Sequence, residues 1–564
     1  PADGDVEGML VGLEAAFSSG PDDLGHVSCV EHHIPTGEAR LPSQPSYTTA
    51  PPTQRKMIAH VQMWQLLGVC QPSTSSISSP MVLVSKKDYN ADGTRARPPA
   101  PEPITDEVRQ ADRIRSRRVR RILGMPAGPA RQHAVQRLLP ELVAIAKGTR
   151  CCINYRALNA VTENDATPIL ASKELFLHCP VGTCLITTLD MRSAYQAIEI
   201  APEDRWKTAF RTPLGVMEFV RLPFGLKTAP HSMARLGLKL TEGLLFRDVL
   251  IFYDDLAVLT PRAAPEGSGT PWQRHVRAVR RVLRRCIALG VKLGKPKCVF
   301  AASSADWVDR NISEAGLRKR DDHVAPLMEW PVPTTAKSLG RFLNVAGYYR
   351  DFVAGFARVT APLKSLVNAA SKPGARFQWN DAHQAAFDAL KARIKEDVVL
   401  AVPDFSKPFQ IETDASDVAI GGVLVQQDAD GRDRPVAFVS RGLTGAESRY
   451  GTTERELLAV LWAIDRFRVY IQDAKFRVVT DHANLQWLFR QRRSGRIGRW
   501  VLRLMEYDFD VVHKAGHKHV VPDALSRIVR PRSVQEMIRD AEATDIPESL
   551  VELGIAGVAA ASLG

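Results

Sequence analysis

The 564-residue chain contains no Cys-x-x-Cys pair. Its eight cysteines (Cys29, Cys70, Cys151, Cys152, Cys179, Cys184, Cys286 and Cys298) form no disulfide-like framework. That excludes a small disulfide-stapled fold and is expected of a chain kept in a reducing, intracellular compartment. No run of about 18 apolar residues occurs and no signal-peptide pattern opens the chain, so neither membrane insertion nor secretion is expected. No internal repeat stands out. Acid is in deficit: 62 Asp plus Glu face 75 Lys plus Arg, a formal +13 that favours a polyanionic partner. The chain opens on Pro1 rather than Met, which is expected of a piece of a longer polypeptide. At roughly 150 residues per domain, its length predicts about four domains.

What is present is organised in blocks. Residues 1 to 24 are Gly-rich and acidic and read as a linker. Regular structure is expected from "SPMVLVSKKD", a short apolar strand ending in Lys86 and Lys87. The texture then changes between Tyr89 and Lys147. "RARPPAPEP" is Pro-rich, "RQADRIRSRRVRRIL" is an Arg-dense helical pattern, and "MPAGPA" breaks it. Strands follow at "TCLITTLDM" and "VMEFVRLP", then "VLIFYDD" and "LAVLT" around an acidic turn, and an amphipathic helix at "QRHVRAVRRVLRRCIALG". Helices dominate from Ala336 to about Lys395, and a second strand-rich unit begins at "KPFQIETDAS". The last clear helix is "VPDALSRIV", followed by a weakly patterned tail from Pro531 to Gly564.

In "VLIFYDDLAVLT", Asp254 and Asp255 sit where a hairpin turns, and a solvated turn is the ordinary reading of such a pair. The flanks "VLIF" and "LAVL" are too apolar for an exposed hairpin, so the acids would lie at the edge of a buried sheet. Carboxylates held there repel one another unless a cation lies between them. Asp190 ends another apolar strand, "LITTLDMRSAY". If the strands are neighbours, the three acids form an oxygen-rich site suited to Mg²⁺.

A second set lies further on. Asp414 ends the strand in "FQIETDAS", Glu456 falls early in the helical pattern "TTERELLAVLWAIDRF" behind a Thr cap, Asp481 ends "FRVVTD", and Asp523 starts a helix in "VPDALSR". As helix-cap or dipole partners these acids need no special function. The stretch "HKAGHKH" (His513, His517, His519) lacks nearby Cys and is not read as a zinc site.

"SSPMVLVSKKD", "GTRCCINYRALNAVT", "TLDMRSAYQAIEI", "KTAFRTPLGVMEFVRLPFGLKTAP", "IFYDDLAVL", "KCVF" and "GYYRDFVAGFARVTAPL" occur in this order. Over about residues 31 to 530 the chain thereby resembles the reverse transcriptase and RNase H region of gypsy-class LTR retrotransposon Pol polyproteins. The resemblance implies an α+β multidomain fold: a right-hand polymerase of fingers, palm and thumb, then an α/β RNase H-like domain. It implies fingers and palm over 25–300 with a foreign insertion at about 96–150, thumb and connection over 301–404, RNase H over 405–530, and a 531–564 tail toward an integrase. Residues 1–24 become the linker from the upstream polyprotein, whose protease, like the integrase, is not evident here.

By the same resemblance, "FYDD" is the YxDD turn with Phe252 in place of Tyr. Asp190, Asp254 and Asp255 are then catalytic metal ligands, and Asp414, Glu456, Asp481 and Asp523 are their RNase H counterparts. Each centre would take two Mg²⁺ ions, with Mn²⁺ as the alternative. Lys86 and Arg150 would grip the triphosphate, Tyr195 would meet a ribose 2′-OH and so select deoxynucleotides, and Phe224 and Gly225 would line the nucleotide pocket. The implied activities are RNA- and DNA-directed DNA polymerase and RNase H. Implied partners are an RNA template, a DNA primer, the RNA–DNA hybrid and dNTPs, with no membrane. Implied locations are a cytoplasmic particle and the nucleus. The alternative is a decayed or co-opted element product that binds nucleic acid without efficient catalysis.

Departures from the pattern are Asn154 for the Asp of "VDYR", Ala197 for a Gln, His519 for an Asn, and Asp309 at a Gly position where primer is gripped. An added negative charge there is expected to weaken binding. The insertion is bracketed by "GTR" at Gly93–Arg95 and Gly148–Arg150, and within 96–150 it carries 12 Lys plus Arg against 5 Asp plus Glu. Excising it would restore a continuous strand-turn-strand, so its deletion is expected to preserve folding and raise polymerase activity.

Overall fold

The computed structural model describes residues 4–41, 43–85, 104–372, 375–472, 474–480 and 495–513. Lys86, Asp481, Asp523, the expected helix at 521–529 and the 531–564 tail lie outside them. The described residues form two compact units. The first contains those up to Cys179 together with Cys184–Val308; the second contains Pro180–Thr183 and those from Asp309 onward.

The first unit opens with α1 (Val6–Leu10), β1 (Val27–His32), α2 (Pro51–Leu66), β2 (Cys70–Pro72) and β3 (Ser79–Ser85). Next come α3 (Asp106–Leu123), α4 (Pro129–Ala146), β4 (Thr149–Ile153), β5 (Thr183–Asp190), β6 (Phe210–Thr212) and β7 (Gly215–Phe219). It closes with α5 (Ala229–Leu240), β8 (Val249–Phe252), β9 (Asp255–Pro261), α6 (Pro271–Leu289) and β10 (Val299–Ala302). Its larger sheets are a four-stranded one ordered β10–β5–β9–β8 and a five-stranded one ordered β2–β7–β6–β3–β4, while β1 pairs in parallel with the short strand Ile198–Ile200. Leu256 to Leu259 of β9 are buried on both faces, which is why "LAVL" shows no alternation. Helix α6 starts with a Thr270 cap and Gln273 reaching back, and buries Val276, Val279, Leu283 and Cys286 at helical spacing. It stops at Gly290 (φ 71°), where a β-carbon would fall 1.9 Å from the His26 carbonyl oxygen.

Two sequence expectations are corrected here. Residues 5–24 do not behave as a linker: Met9, Leu13, Ala16 and Phe17 are buried in the main core of this unit. The Arg280 side chain of α6 donates to the Met9 and Val11 carbonyls, and the Ser18 N–H donates to Leu293 O at 3.0 Å. The short elements carry too little periodicity to reveal this, because their partners lie some 270 residues away.

The insertion is likewise built in. Thr105 caps α3 through Val108 N, with Asp106 and Glu107 in the first turn and Arg120 and Arg121 in the last, as the helix dipole favours. Val119 and Ile122 of α3 join Val135, Leu138, Leu139 and Leu142 of α4 in an apolar cluster with Ala59 and Leu66 of α2. The opposite side of α2, Met57 and Val61, enters the main core. Helix α2 thus lies between the two, and structure begins well before "SPMVLVSKKD".

In the second unit α7 (Ala336–Ala346), α8 (Phe356–Ala370) and α9 (Asp381–Lys395) share a core of Leu339, Phe342, Leu363, Phe387 and Leu390. A five-stranded sheet follows, built from β11 (Phe409–Ala415), β12 (Ala419–Gln427), β13 (Asp433–Gly442), β14 (Phe476–Thr480) and β15 (Phe509–His513). Its order is β13–β12–β11–β14–β15; β11 pairs antiparallel with β12 and parallel with β14. Helix α10 (Thr452–Ile471) packs on it where Gly422 admits Ala463, whose β-carbon is 3.1 Å from the position a Gly422 β-carbon would take. The cap is Gly451, not a Thr: Glu454 accepts its N–H at 3.2 Å. Helix α11 (Gly495–Leu504) completes the described part.

Two candidate carboxylate centres

The first centre is built by adjacent strands. β8 and β9 pair as Phe252↔Asp255 and Ile251↔Leu256, leaving Tyr253 and Asp254 as a two-residue turn. Tyr253 has φ 55°, a left-handed backbone that costs a non-Gly residue about 1–3 kcal/mol and that clusters at functional sites. β9 neighbours β5, which ends at Asp190, and the Met191 N–H donates to the Asp254 carbonyl at 3.0 Å. The turn is thereby tied to the end of β5. Burial raises the Asp254 pKa above the usual carboxylate range and the Asp190 charge pushes the same way, whereas its own backbone N–H and Lys297 oppose them.

Lys297 lies 3.1 Å from Asp190 Oδ1. Among the described residues no three His, Cys, Asp or Glu side chains are already gathered into a metal cage. Asp190 faces the Lys297 ammonium instead. The donor set is all carboxylate, and the Asp254–Asp190 repulsion is relieved by positive charge; these residues fit a hard divalent cation.

Around the centre, Tyr195 is half-buried with its ring 5.3 Å from that of Phe224, which is exposed. Gly225 has φ 98°, and its carbonyl accepts from Asn159 Nδ2 at 2.8 Å. The Asn159 Oδ1 accepts the Lys227 N–H at 2.9 Å, so Asn159 pins the loop that carries Gly225. Arg150 is exposed on β4 opposite Val84 of β3. Asn154 donates to the Tyr47 hydroxyl at 3.0 Å.

Residue roles the sequence reading missed include His275 and Lys297. His275 is buried between Thr187 Oγ1 of β5 (2.7 Å) and Thr260 Oγ1 of β9 (2.9 Å), joining the two acid-bearing strands to α6. Burial pulls its pKa down to about 4, so it is neutral. The only local signal was a His on an apolar helix face. Lys297 stands in the quoted "KCVF", but its contact with Asp190 spans 107 residues.

In the second unit Asp414 on β11 and Glu456 on α10 are both about 5% exposed. Arg455, next to Glu456, forms an ion pair with Asp417 in the turn just after Asp414, which brings the two elements together. β14 ends at Thr480, and its parallel pairing with β11 includes Glu412↔Val479. Asp309, expected to place charge against phosphate, is buried; it accepts from the Tyr348 hydroxyl at 2.5 Å, so its charge is held inside the protein.

The first unit thus holds a four-stranded sheet presenting paired acids, and the second a mixed five-stranded sheet under a long helix. Residues 144–324 match the reverse transcriptase (RNA-dependent DNA polymerase) family and 404–507 the RNase H-like domain found in reverse transcriptase. The chain belongs among the LTR retrotransposon Pol polyproteins. It is 33% identical over 382 residues to the retrovirus-related Pol polyprotein from transposon 297 of Drosophila melanogaster, covering 67% of this chain and 34% of that one. The Pol polyprotein from transposon 412 of the same species is 34% identical over 383 residues, 68% of this chain and 30% of that one. The chain spans about a third of the length of these curated relatives. The foamy viral protease-reverse transcriptase dRH in complex with ds DNA superposes with TM-score 0.70 at 17% identity, covering 90% of this chain and 77% of that one, which shows the shared fold. Among the described residues no helix is long and apolar enough to cross a membrane.

Proposed function

We propose that this chain is an RNA- and DNA-directed DNA polymerase with an RNase H, working on a DNA primer, an RNA template and the resulting hybrid inside the cell. The reading assigns 25–300 to fingers and palm, 301–404 to thumb and connection, and 405–530 to RNase H. The observation that carries it is the Tyr253–Asp254 turn tied to the end of β5 beside Asp190. The solved foamy viral proteins of this fold, in complex with ds DNA and with RNA/DNA hybrid, support the choice of partners.

Asp190, Asp254 and Asp255 would hold two Mg²⁺ or Mn²⁺ ions, and Asp414, Glu456, Asp481 and Asp523 would hold the nuclease pair. When bound, such ions lower the pKa of an attacking hydroxyl or water and neutralise charge on the leaving oxygen. Lys297 moderates the repulsion within the first acid set while that site is open. His275 and its two threonines keep β5 and β9 in register, so the acids are presented together. Tyr195, backed by Phe224, would meet the sugar edge where a 2′-OH would clash. Arg150 would offer a planar fork of donors to a triphosphate, with Lys86 as a point charge beside it.

Primer extension on poly(rA)·oligo(dT) with Mg²⁺, and its loss in EDTA, tests the first activity. Cleavage of a labelled RNA–DNA hybrid tests the second. Absence of both from folded protein would overturn the reading.

A further inference from the structure

The α3–α4 hairpin sorts its charges. Three arginines on or beside the packing face consume its interior acids. Arg55 of α2 bonds Asp112 through Nε at 3.0 Å, Arg115 reaches Asp112 and Glu141, and Arg118 bonds Glu141 at 2.7 Å. Arg113, Arg117, Arg120 and Arg121 are exposed and have no acidic partner among the described residues. At about 100° per residue these four fall on one arc of α3, directly opposite buried Val119 and Ile122. The apolar cluster against α2 therefore fixes which way the arginines point.

We propose that this outward face of α3 is an accessory grip on the phosphate backbone of a nucleic-acid duplex. Charge complementarity names a polyanion, and the face carries no means of reading sequence beyond it. Duplex is favoured over single strand for two reasons. A duplex carries about one charge per 1.7 Å of axis, roughly twice the density of one strand. Single-strand sites also pair basic residues with aromatic platforms, and Asp106–Ala146 contains no Phe, Tyr or Trp. The grip rests on the polymerase reading only for the source of the duplex, a template–primer. It is separate from the acid centre and belongs to a segment lying outside the quoted family motifs.

The test uses the full chain carrying Arg113→Gln, Arg117→Gln, Arg120→Gln and Arg121→Gln together, an Arg→Lys set at the same positions, and an Asp255→Asn chain as background. Anisotropy of a labelled 25-base-pair duplex and of a 25-nucleotide single strand is followed across a KCl series. Loss of four phosphate contacts should flatten the slope of log K against log[salt] for duplex by up to about 3.6, at about 0.9 per contact. The Lys set should retain most of the slope, single-strand binding should change less, and the exposed substitutions should leave the melting temperature in place. The same shift should appear in the Asp255→Asn background, so a failure of polymerase activity and a failure of the grip are read separately. An unchanged duplex slope overturns the proposal, and so does an equal loss for single strand, which would assign the face to another form of nucleic acid.

Discussion

Lys297 holds its ammonium 3.1 Å from Asp190 Oδ1, across the end of a strand whose neighbour begins at Asp255. A cation already faces the acid set, yet Asp254 still has a raised pKa, because burial and the Asp190 charge outweigh what its own backbone N–H and Lys297 return. The first centre is therefore strained electrostatically as well as at Tyr253.

From this follows a stability effect of known sign. A carboxylate whose folded pKa is raised stabilises the fold below its unfolded pKa and loses that contribution as pH rises through the folded value. Asp254→Asn imitates the protonated form, so at neutral pH it should melt higher than wild type, by a small margin because solvent screens this part-exposed carboxylate. The gain should shrink as pH falls through the raised folded pKa of Asp254 and be gone below the unfolded value. Thermal melts from about pH 3 to pH 8 check this, and a lower melting point at pH 7 would show that Asp254 is satisfied in the fold.

The two acid sets lie in different units, so their activities should separate. Asp255→Asn is expected to lower primer extension by about two to three orders of magnitude, the worth of several kcal/mol of lost charge stabilisation, and to spare hybrid cleavage. Asp414→Asn should do the reverse. Loss of both activities from either change in folded protein would argue against independent sites.

Tyr195 presents a half-buried ring braced by Phe224. Tyr195→Ala should reduce discrimination against ribonucleotides by about tenfold, or roughly 1.4 kcal/mol. Single-nucleotide incorporation with rNTP and dNTP measures this directly; an unchanged ratio removes Tyr195 from the gate role.

Leu138 is fully buried where α4 meets α2. Leu138→Ala should destabilise the chain by about 2–5 kcal/mol. Deleting 96–150 would uncover Ala59 and Leu66, so it is expected to weaken the fold rather than leave it intact, the reverse of the sequence expectation. Hydrogen exchange in α2 is the direct readout: protection unchanged by Leu138→Ala would mean the hairpin is a separate appendage.

Local pattern alone determined the strand-turn-strand around Asp254 and Asp255, the apolar strand ending at Asp190, the strand carrying Asp414 and the helix carrying Glu456. Each is set by periodicity and turn chemistry within about ten residues, so the chain states it wherever it folds. The α3 helix was legible for the same reason, from its Arg-dense pattern and the breaker after it. Tertiary structure decided what these pieces touch. Met9 and Phe17 became core because α6 and Leu293 cover them, and α3–α4 became integral because α2 has a second apolar side. Asp309 became a buried acceptor of the Tyr348 hydroxyl rather than an exposed charge. Lys297 reached Asp190, and His275 reached two threonines, across as many as 107 residues. Periodicity shows that a residue wants burial or a charge wants a partner, but the partner is chosen by packing between segments with no local relation.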